Sequence, residues 1–266
     1  MKNTLPTLGF IGVGAITTAM VTGFCERAAD VPYSIVLSPR SADRSAALQA
    51  AYPDRVTVAE SMQAVVDASD WVILTMLPEA GEKVCRALTF RPEHKIINVM
   101  SDKTVEQIAG WLNCKVDTML HMIPLTFNAL LDGPIVQCPP TPEAAEIFGH
   151  IGQIVSVESR YHAAVFGAIT ACEVPLFAVM DTLIDWAQSE GVDPAAATQY
   201  VTGFCSAVFQ MALSENREGI HTRATVSTPG GMNMTYLEHL QAADGFRPWQ
   251  EGIAKVMHRL TKDLPR

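Results

Sequence analysis

The sequence has no CxxC pair, and its six cysteines (Cys25, Cys85, Cys114, Cys138, Cys172 and Cys205) are scattered, with no histidine at metal-ligand spacing beside them. That excludes a zinc site and a disulfide framework, and leaves buried thiols as the expectation. No metal is called for. Basic charge is scarce as well: 19 Lys and Arg stand against 28 Asp and Glu, a net charge of -9. A phosphate-backbone partner needs a basic surface, so nucleic acid and anionic membrane are both excluded as partners. There is no run of roughly 18 apolar residues of the kind a membrane span requires. The most apolar stretch, 161–187, is broken by His162, Glu173, Pro175, Asp181 and Asp185, and reads as a buried helix or an interface. The opening "MKNTLPTLGFIG" lacks the charged start, long apolar stretch and small-residue cleavage site of a secretory leader, so a cytoplasmic location is expected. Lysine is missing altogether between Lys115 and Lys255.

What the sequence does contain is alternation. From residue 7 to about 158, short β-branched runs ("TLGFIG", "YSIVL", "VTV", "WVILTM", "KIINVM", "VDTMLHM", "PIVQC", "QIVSVE") alternate with helical patterns. The first three of these runs are followed by helices expected from Ala15, Ser41 and Glu60. Such alternation is the signature of a mostly parallel sheet covered on both faces. Beyond it, residues 160–190, 194–214 and 235–262 carry the 3.6-residue period of helices, without convincing strands. With 266 residues the length suits two domains. The expectation is an α/β protein: a Rossmann-type doubly wound sheet in 1–158, then an all-helical domain in 159–266.

Gly12 and Gly14 follow the first strand directly, and a helix opens behind them. Gly12 allows a tight turn, Gly14 lets a pyrophosphate approach the backbone, and the unpaired amides of Ala15 and Ile16 sit at the positive end of a helix dipole. A dinucleotide is the natural ligand. Thr17 occupies the third place of the G-x-G-x-x-G/A fingerprint, with Ala19 as the next small residue. The second strand ends in Ser38, Pro39, Arg40 and Ser41 where an NAD site usually places Asp or Glu, which favours NADP and leaves NAD possible. The alternative is that Ser41 only caps the next helix and Arg40 is a solvated charge.

The segments "GFIGVGAITTAMVTG", "LTMLPEAGEKV", "HMIPLTFNALLDG" and "ATVSTPGGMNMTYLEHL", in that order over nearly the whole chain, resemble pyrroline-5-carboxylate reductase. The resemblance implies a Rossmann domain that holds NADPH, with Met76, Leu77 and Pro78 in the cofactor loop. It also implies a helical domain that forms a homodimer or a higher homo-oligomer. Its Pro-Gly-Gly loop would hold the carboxylate of a small-molecule substrate. A physical reading agrees, because Gly230 and Gly231 leave their amides open to an anion and a helix begins behind them. Several positions depart from the family pattern. Met232 and Asn233 replace Thr-Thr, Thr228 replaces Ser, and Leu77-Pro78 replaces Lys-Pro. "MPNTP" becomes Ile123-Pro124-Leu125-Thr126-Phe127, and "SGSGPA" becomes Ala171-Cys172-Glu173-Val174-Pro175-Leu176.

The shared chemistry would be hydride transfer from a nicotinamide to the carbon of a C=N bond, which asks the protein chiefly to orient the substrate, exclude water and balance charge. The lysine gap counts against hydroxyacid dehydrogenases with a similar first domain, which place a catalytic lysine in the helical one. The candidate catalytic residues are Glu173, Asn233 and Thr228. The candidate substrate contacts are Gly230, Gly231, Met232, Asn233, Thr126 and Glu173. Glu173 lies on an apolar helix beside Pro175, and either reaches solvent, pairs with arginine, or serves a cationic substrate. His121 is expected to end a strand at the carboxyl edge of the sheet, as a structural residue, as a contact to the cofactor or as an acid. The first reading is an NADP-dependent reductase of a small carboxylate-bearing cyclic imine. The alternatives are a different imine or keto acid on the same scaffold, or an NADP-binding protein without catalysis.

Overall fold

The computed structural model describes residues 5–129, 133–262 and 264. Its first apolar run, Leu8–Ile11 (β1), is buried throughout and leads through the glycine turn into Ala15–Glu26 (α1). The alternation continues with Ile35–Leu37 (β2), Ala42–Ala51 (α2), Val56–Val58 (β3), Met62–Ala68 (α3), Trp71–Leu74 (β4), Pro78–Ala87 (α4), Lys95–Asn98 (β5), Val105–Ala109 (α5) and Thr118–Ile123 (β6). A 3-10 turn at Thr126–Ala129 precedes Pro134–Cys138 (β7), Pro142–Phe148 (α6) and Gln153–Ser156 (β8). Among the described residues these strands form one eight-stranded sheet of order β3-β2-β1-β4-β5-β6-β7-β8. β1 to β6 are parallel, β7 runs antiparallel to β6, and β8 is parallel to β7.

Period-two alternation along the central strands feeds two cores. Leu8, Phe10, Trp71 and Ile73 join Met20, Val21 and Phe24 of α1 and Phe148 of α6 on one face. Ile11, Val72 and Leu74 join Val65, Val66, Val84, Cys85 and Ile108 on the other. Burial on both faces is why these strands read as continuous apolar runs. Caps set the helix starts. Ser61 accepts a hydrogen bond from the Ala64 amide, so the helix expected from Glu60 opens at Met62. Ser41 sits at the cap position of α2 without a capping bond of its own, although its carbonyl accepts from Ser45.

The remainder is helical: Arg160–Thr170 (α7), Glu173–Ser189 (α8), Pro194–Leu213 (α9), Arg217–Thr225 (α10), Met232–Ala242 (α11) and Arg247–Thr261 (α12). The expected helix 160–190 is interrupted at Ala171 and Cys172. Pro175 has no N–H to give the carbonyl of Ala171, and its ring would clash with that carbonyl; the Cys172 amide bonds Ile169 instead. The expected helix 235–262 is likewise two. Asp244 takes a left-handed conformation (φ 54°) while its amide bonds the Gln241 carbonyl and the Gly245 amide bonds that of Leu240, a Schellman stop. α10, opened by Asn216 accepting from the Gly219 amide, was not expected from periodicity. The chain divides into two compact units, 1–167 with 259–266, and 168–258. The first turns of α7 lie in the former, where Ala163 is fully buried against Val136 and Cys138. Arg160–Ser189 is by length and composition apolar enough to cross a membrane, with a window hydropathy of 1.9. Glu173 and Pro175 interrupt that stretch.

Candidate active site

In the first unit the loop after β1 is held by its own peptide groups. Gly12 has a φ of +104°, and a Cβ there would stand 2.9 Å from the Met76 amide nitrogen. Its N–H donates to Ser38 Oγ (2.9 Å), and its carbonyl lies 2.9 Å from the Thr17 hydroxyl and 2.7 Å from that of Thr75. Thr17 is fully buried, and its hydroxyl also lies 2.8 Å from that of Thr75. What looks in sequence like a loosened fingerprint is therefore a polar brace that ties the turn to the end of β4. Sequence reasoning took Thr17 only as a departure from the fingerprint and passed over Thr75; a hydroxyl in the buried first turn of a helix is the signal that would have shown the role of Thr17.

Gly14, in extended conformation, meets nothing within 4 Å of a virtual Cβ, and no side chain caps the twelve-residue helix it opens. An open approach to backbone amides at a positive helix end fits the pyrophosphate of a dinucleotide. Ala15 and Ile16 contribute that first turn. At the end of β2, Ser38 is fully buried with its hydroxyl engaged on Gly12, whereas Arg40 is exposed and Ser41 half-buried. Leu77 is 74% exposed at the cap of α4, between Met76 and the Pro78 that occupies the helix's first turn.

The carboxyl edge of β5 and β6 carries a polar cluster. His121 is 1% exposed, and its Nδ1 lies 3.2 Å from Asn98 Nδ2. Burial, and then the nearby Arg160 guanidinium, hold the imidazole well below its ordinary value, so it is neutral at pH 7. His121 does not end its strand, which continues to Ile123. Thr126 is exposed in the 3-10 turn, which Asn128 fixes from within by accepting from the Leu125 amide (2.6 Å) and donating to the Gly133 carbonyl (3.0 Å).

In the second unit, Thr228 to Gly231 form a type II turn. The Gly231 amide bonds the Thr228 carbonyl at 2.9 Å, Pro229 sets the first corner, and Gly230 supplies a φ of +70° at the second. Gly231 is the cap residue of α11, with no side chain capping the helix. The site residues Thr228, Gly230, Met232 and Asn233 are exposed, Met232 at 89%. Glu173, half-buried in the first turn of α8, makes no ion pair among the described residues. The turn and Glu173 lie in the second unit, whereas Thr126 lies in the first with the cradle.

Residues 7–102 match the family described as NADP oxidoreductase, coenzyme F420-dependent, and residues 161–262 match the pyrroline-5-carboxylate reductase dimerisation family. A pyrroline-5-carboxylate reductase from Pseudomonas aeruginosa is 24% identical over 97% of both chains. Over nearly its whole length the chain is thus similar to pyrroline-5-carboxylate reductases. Both halves of the chain thus match oxidoreductase families, the first of them one of NADP oxidoreductases. The fold is shared with the Streptococcus pyogenes reductase, at a TM-score of 0.82 and 18% identity over 97% of this chain and 98% of that one. It is shared too with a Plasmodium falciparum pyrroline carboxylate reductase solved with NADP bound, at 0.79 and 14% over 98% of each.

Proposed function

We propose that this reductase takes a small cyclic imine bearing a carboxylate, with pyrroline-5-carboxylate as the first candidate and proline synthesis as the setting. The observation that carries the reading is the type II turn at Thr228–Gly231, which opens α11 without a side-chain cap, in a chain that matches its relatives from end to end. NADPH, when bound, supplies the hydride. The protein does the rest. The amides behind Gly14 hold the pyrophosphate, and Arg40 with Ser41 meets the 2′-phosphate. The amides of Met232 and Asn233, behind the turn that the Gly231 amide closes, take the substrate carboxylate, and the Asn233 side chain donates to a second acceptor. Glu173 balances the positive charge of a protonated imine nitrogen, and Thr228 and Thr126 offer hydroxyls. In this reading residues 1–158 bind the cofactor, residues 159–266 bind substrate and pair two copies, and the enzyme works in the cytoplasm.

A second reading, another imine or keto acid on the same scaffold, is favoured by Met232, which offers no side-chain donor, and by a carboxylate at 173 where the family pattern has serine. The deciding measurement is NADPH oxidation with pyrroline-5-carboxylate, run beside NADH and beside Glu173→Ser. Saturable turnover that prefers NADPH is expected. Cofactor binding without turnover, in wild type and variant alike, would move the search to other imines and keto acids.

A further inference from the structure

We propose that Arg160 is a positioning residue for the cofactor: from the first turn of α7 it clamps the loop Val99–Lys103, against which the nicotinamide half of the dinucleotide rests. The inference rests on the family cofactor and extends it to residues outside the glycine cradle.

Strand register places Asn98, His121 and Cys138 in one row across β5, β6 and β7, so their side chains share a face of the sheet. Asn98 is fully buried and closes the following loop on itself. Its Oδ1 accepts from the Met100 amide at 2.8 Å, and its Nδ2 donates to the Lys103 carbonyl at 2.8 Å. Arg160 Nη2 donates to that same carbonyl from α7, at 3.2 Å. One acceptor thus joins the loop, the strand beneath it and the helix beside it. His121 Nδ1 faces the Asn98 amide, and the Arg160 charge works against protonation of the ring.

Arg160 holds its charge under poor conditions. Among the described residues no carboxylate forms an ion pair with it, Glu106 acting on it only at longer range, and its Nε is buried without a hydrogen-bond partner. A partly desolvated, unpaired cation costs folding stability, and such local costs concentrate at functional sites. Sheet order says which part of the ligand is near. With the pyrophosphate at the loop after β1 and the ribose phosphate at the end of β2, the other half of a dinucleotide crosses the switch point toward β4 and β5. The loop after β5 is the one that Asn98 and Arg160 hold.

The test compares two ligands on the full-length protein. NADPH spans both halves of the site, whereas 2′,5′-ADP occupies only the β1 and β2 side. Titration of NADPH fluorescence and calorimetry with 2′,5′-ADP give both affinities for wild type, Arg160→Gln and Arg160→Lys. Arg160→Gln is expected to weaken NADPH at least about tenfold while 2′,5′-ADP stays within about twofold, and Arg160→Lys to recover part of the loss. An unchanged NADPH affinity would overturn the proposal, and so would an equal loss of both ligands, which marks general damage. Should Arg160→Gln not fold, the same unequal loss is expected in Arg160→Lys, and an equal one overturns the idea. Absence of turnover with pyrroline-5-carboxylate would sink the substrate reading and leave this comparison of affinities standing.

Discussion

The two units treat their aromatic side chains in opposite ways. In the first, Phe10, Phe24, Trp71 and Phe148 are each no more than 1% exposed. In the second, Phe177, Trp186, Tyr200 and Phe204 are exposed at 63, 64, 74 and 54%, and Tyr200 stacks on Phe204 with its ring toward solvent. α8 has no buried residue, and α9 has only Ala197 and Val201. The first unit therefore owns a finished core, while the helices of the second display apolar faces of a size that marks an association surface. Residues 161–262 match a dimerisation family, which supports the proposal that a second copy covers these faces.

The largest expected effect breaks the pairing. Phe204→Asp should weaken association at least about a hundredfold, since exposed aromatics at such surfaces act as anchors. Light scattering would then report a 28.8 kDa particle at micromolar concentration, where wild type reports twice that mass. A variant that still pairs would mean that the exposed face of α9 is not the interface.

The next effect should be confined to the first unit. Arg55 donates to the carbonyls of Tyr33, Phe24 and Val31, tying β3 to the loop behind α1. Arg55→Ala should cost about 3 kcal/mol in urea unfolding followed through the buried Trp71, with association unchanged. A loss of association in the same variant would show that the contrast between self-sufficient and dependent units is drawn too sharply.

The smallest is a pH dependence of the first unit. The folded-state values of His121 and His94 lie below the ordinary 6.5, chiefly through burial, so the unfolded chain takes up those protons first. Their contribution is complete above about pH 6.5 and is lost as pH falls below it, by up to about 1.4 kcal/mol per pH unit for each histidine. His121→Gln should flatten the urea stability profile between about pH 6.5 and 5, with His94 keeping part of the slope. An unflattened profile would mean that His121 takes up its proton without a folding cost.

The legibility of the sequence follows the same division. The sheet could be read because burial on both faces writes each strand as an apolar run and each turn as a break. The glycine cradle could be read because φ at Gly12 leaves few other residues possible. Thr17 could not, since its value lies in contacts with Gly12 and Thr75, and the latter is 58 positions away. The cluster around Arg160 was missed for the same reason: it joins residues of three strands and a helix, and none of them forms a motif alone. In the second unit the breaks at Ala171 and Asp244 interrupt patterns that stay periodic across them. Pro175 and the Asp-Gly pair carried the information, but periodicity outweighed it.

The turn at Thr228–Gly231 has a consequence for how such an enzyme changes. Proline and a left-handed glycine fix its backbone, and the side chains at 228, 232 and 233 reach solvent without supporting it. Shape and selectivity are thus written in separate residues. Substitutions at 232 and 233 are expected to leave the amide cradle and the fold unharmed while altering which molecule is accepted. Drift in substrate range is easiest there, and a library meant to redirect the enzyme should begin with those two positions.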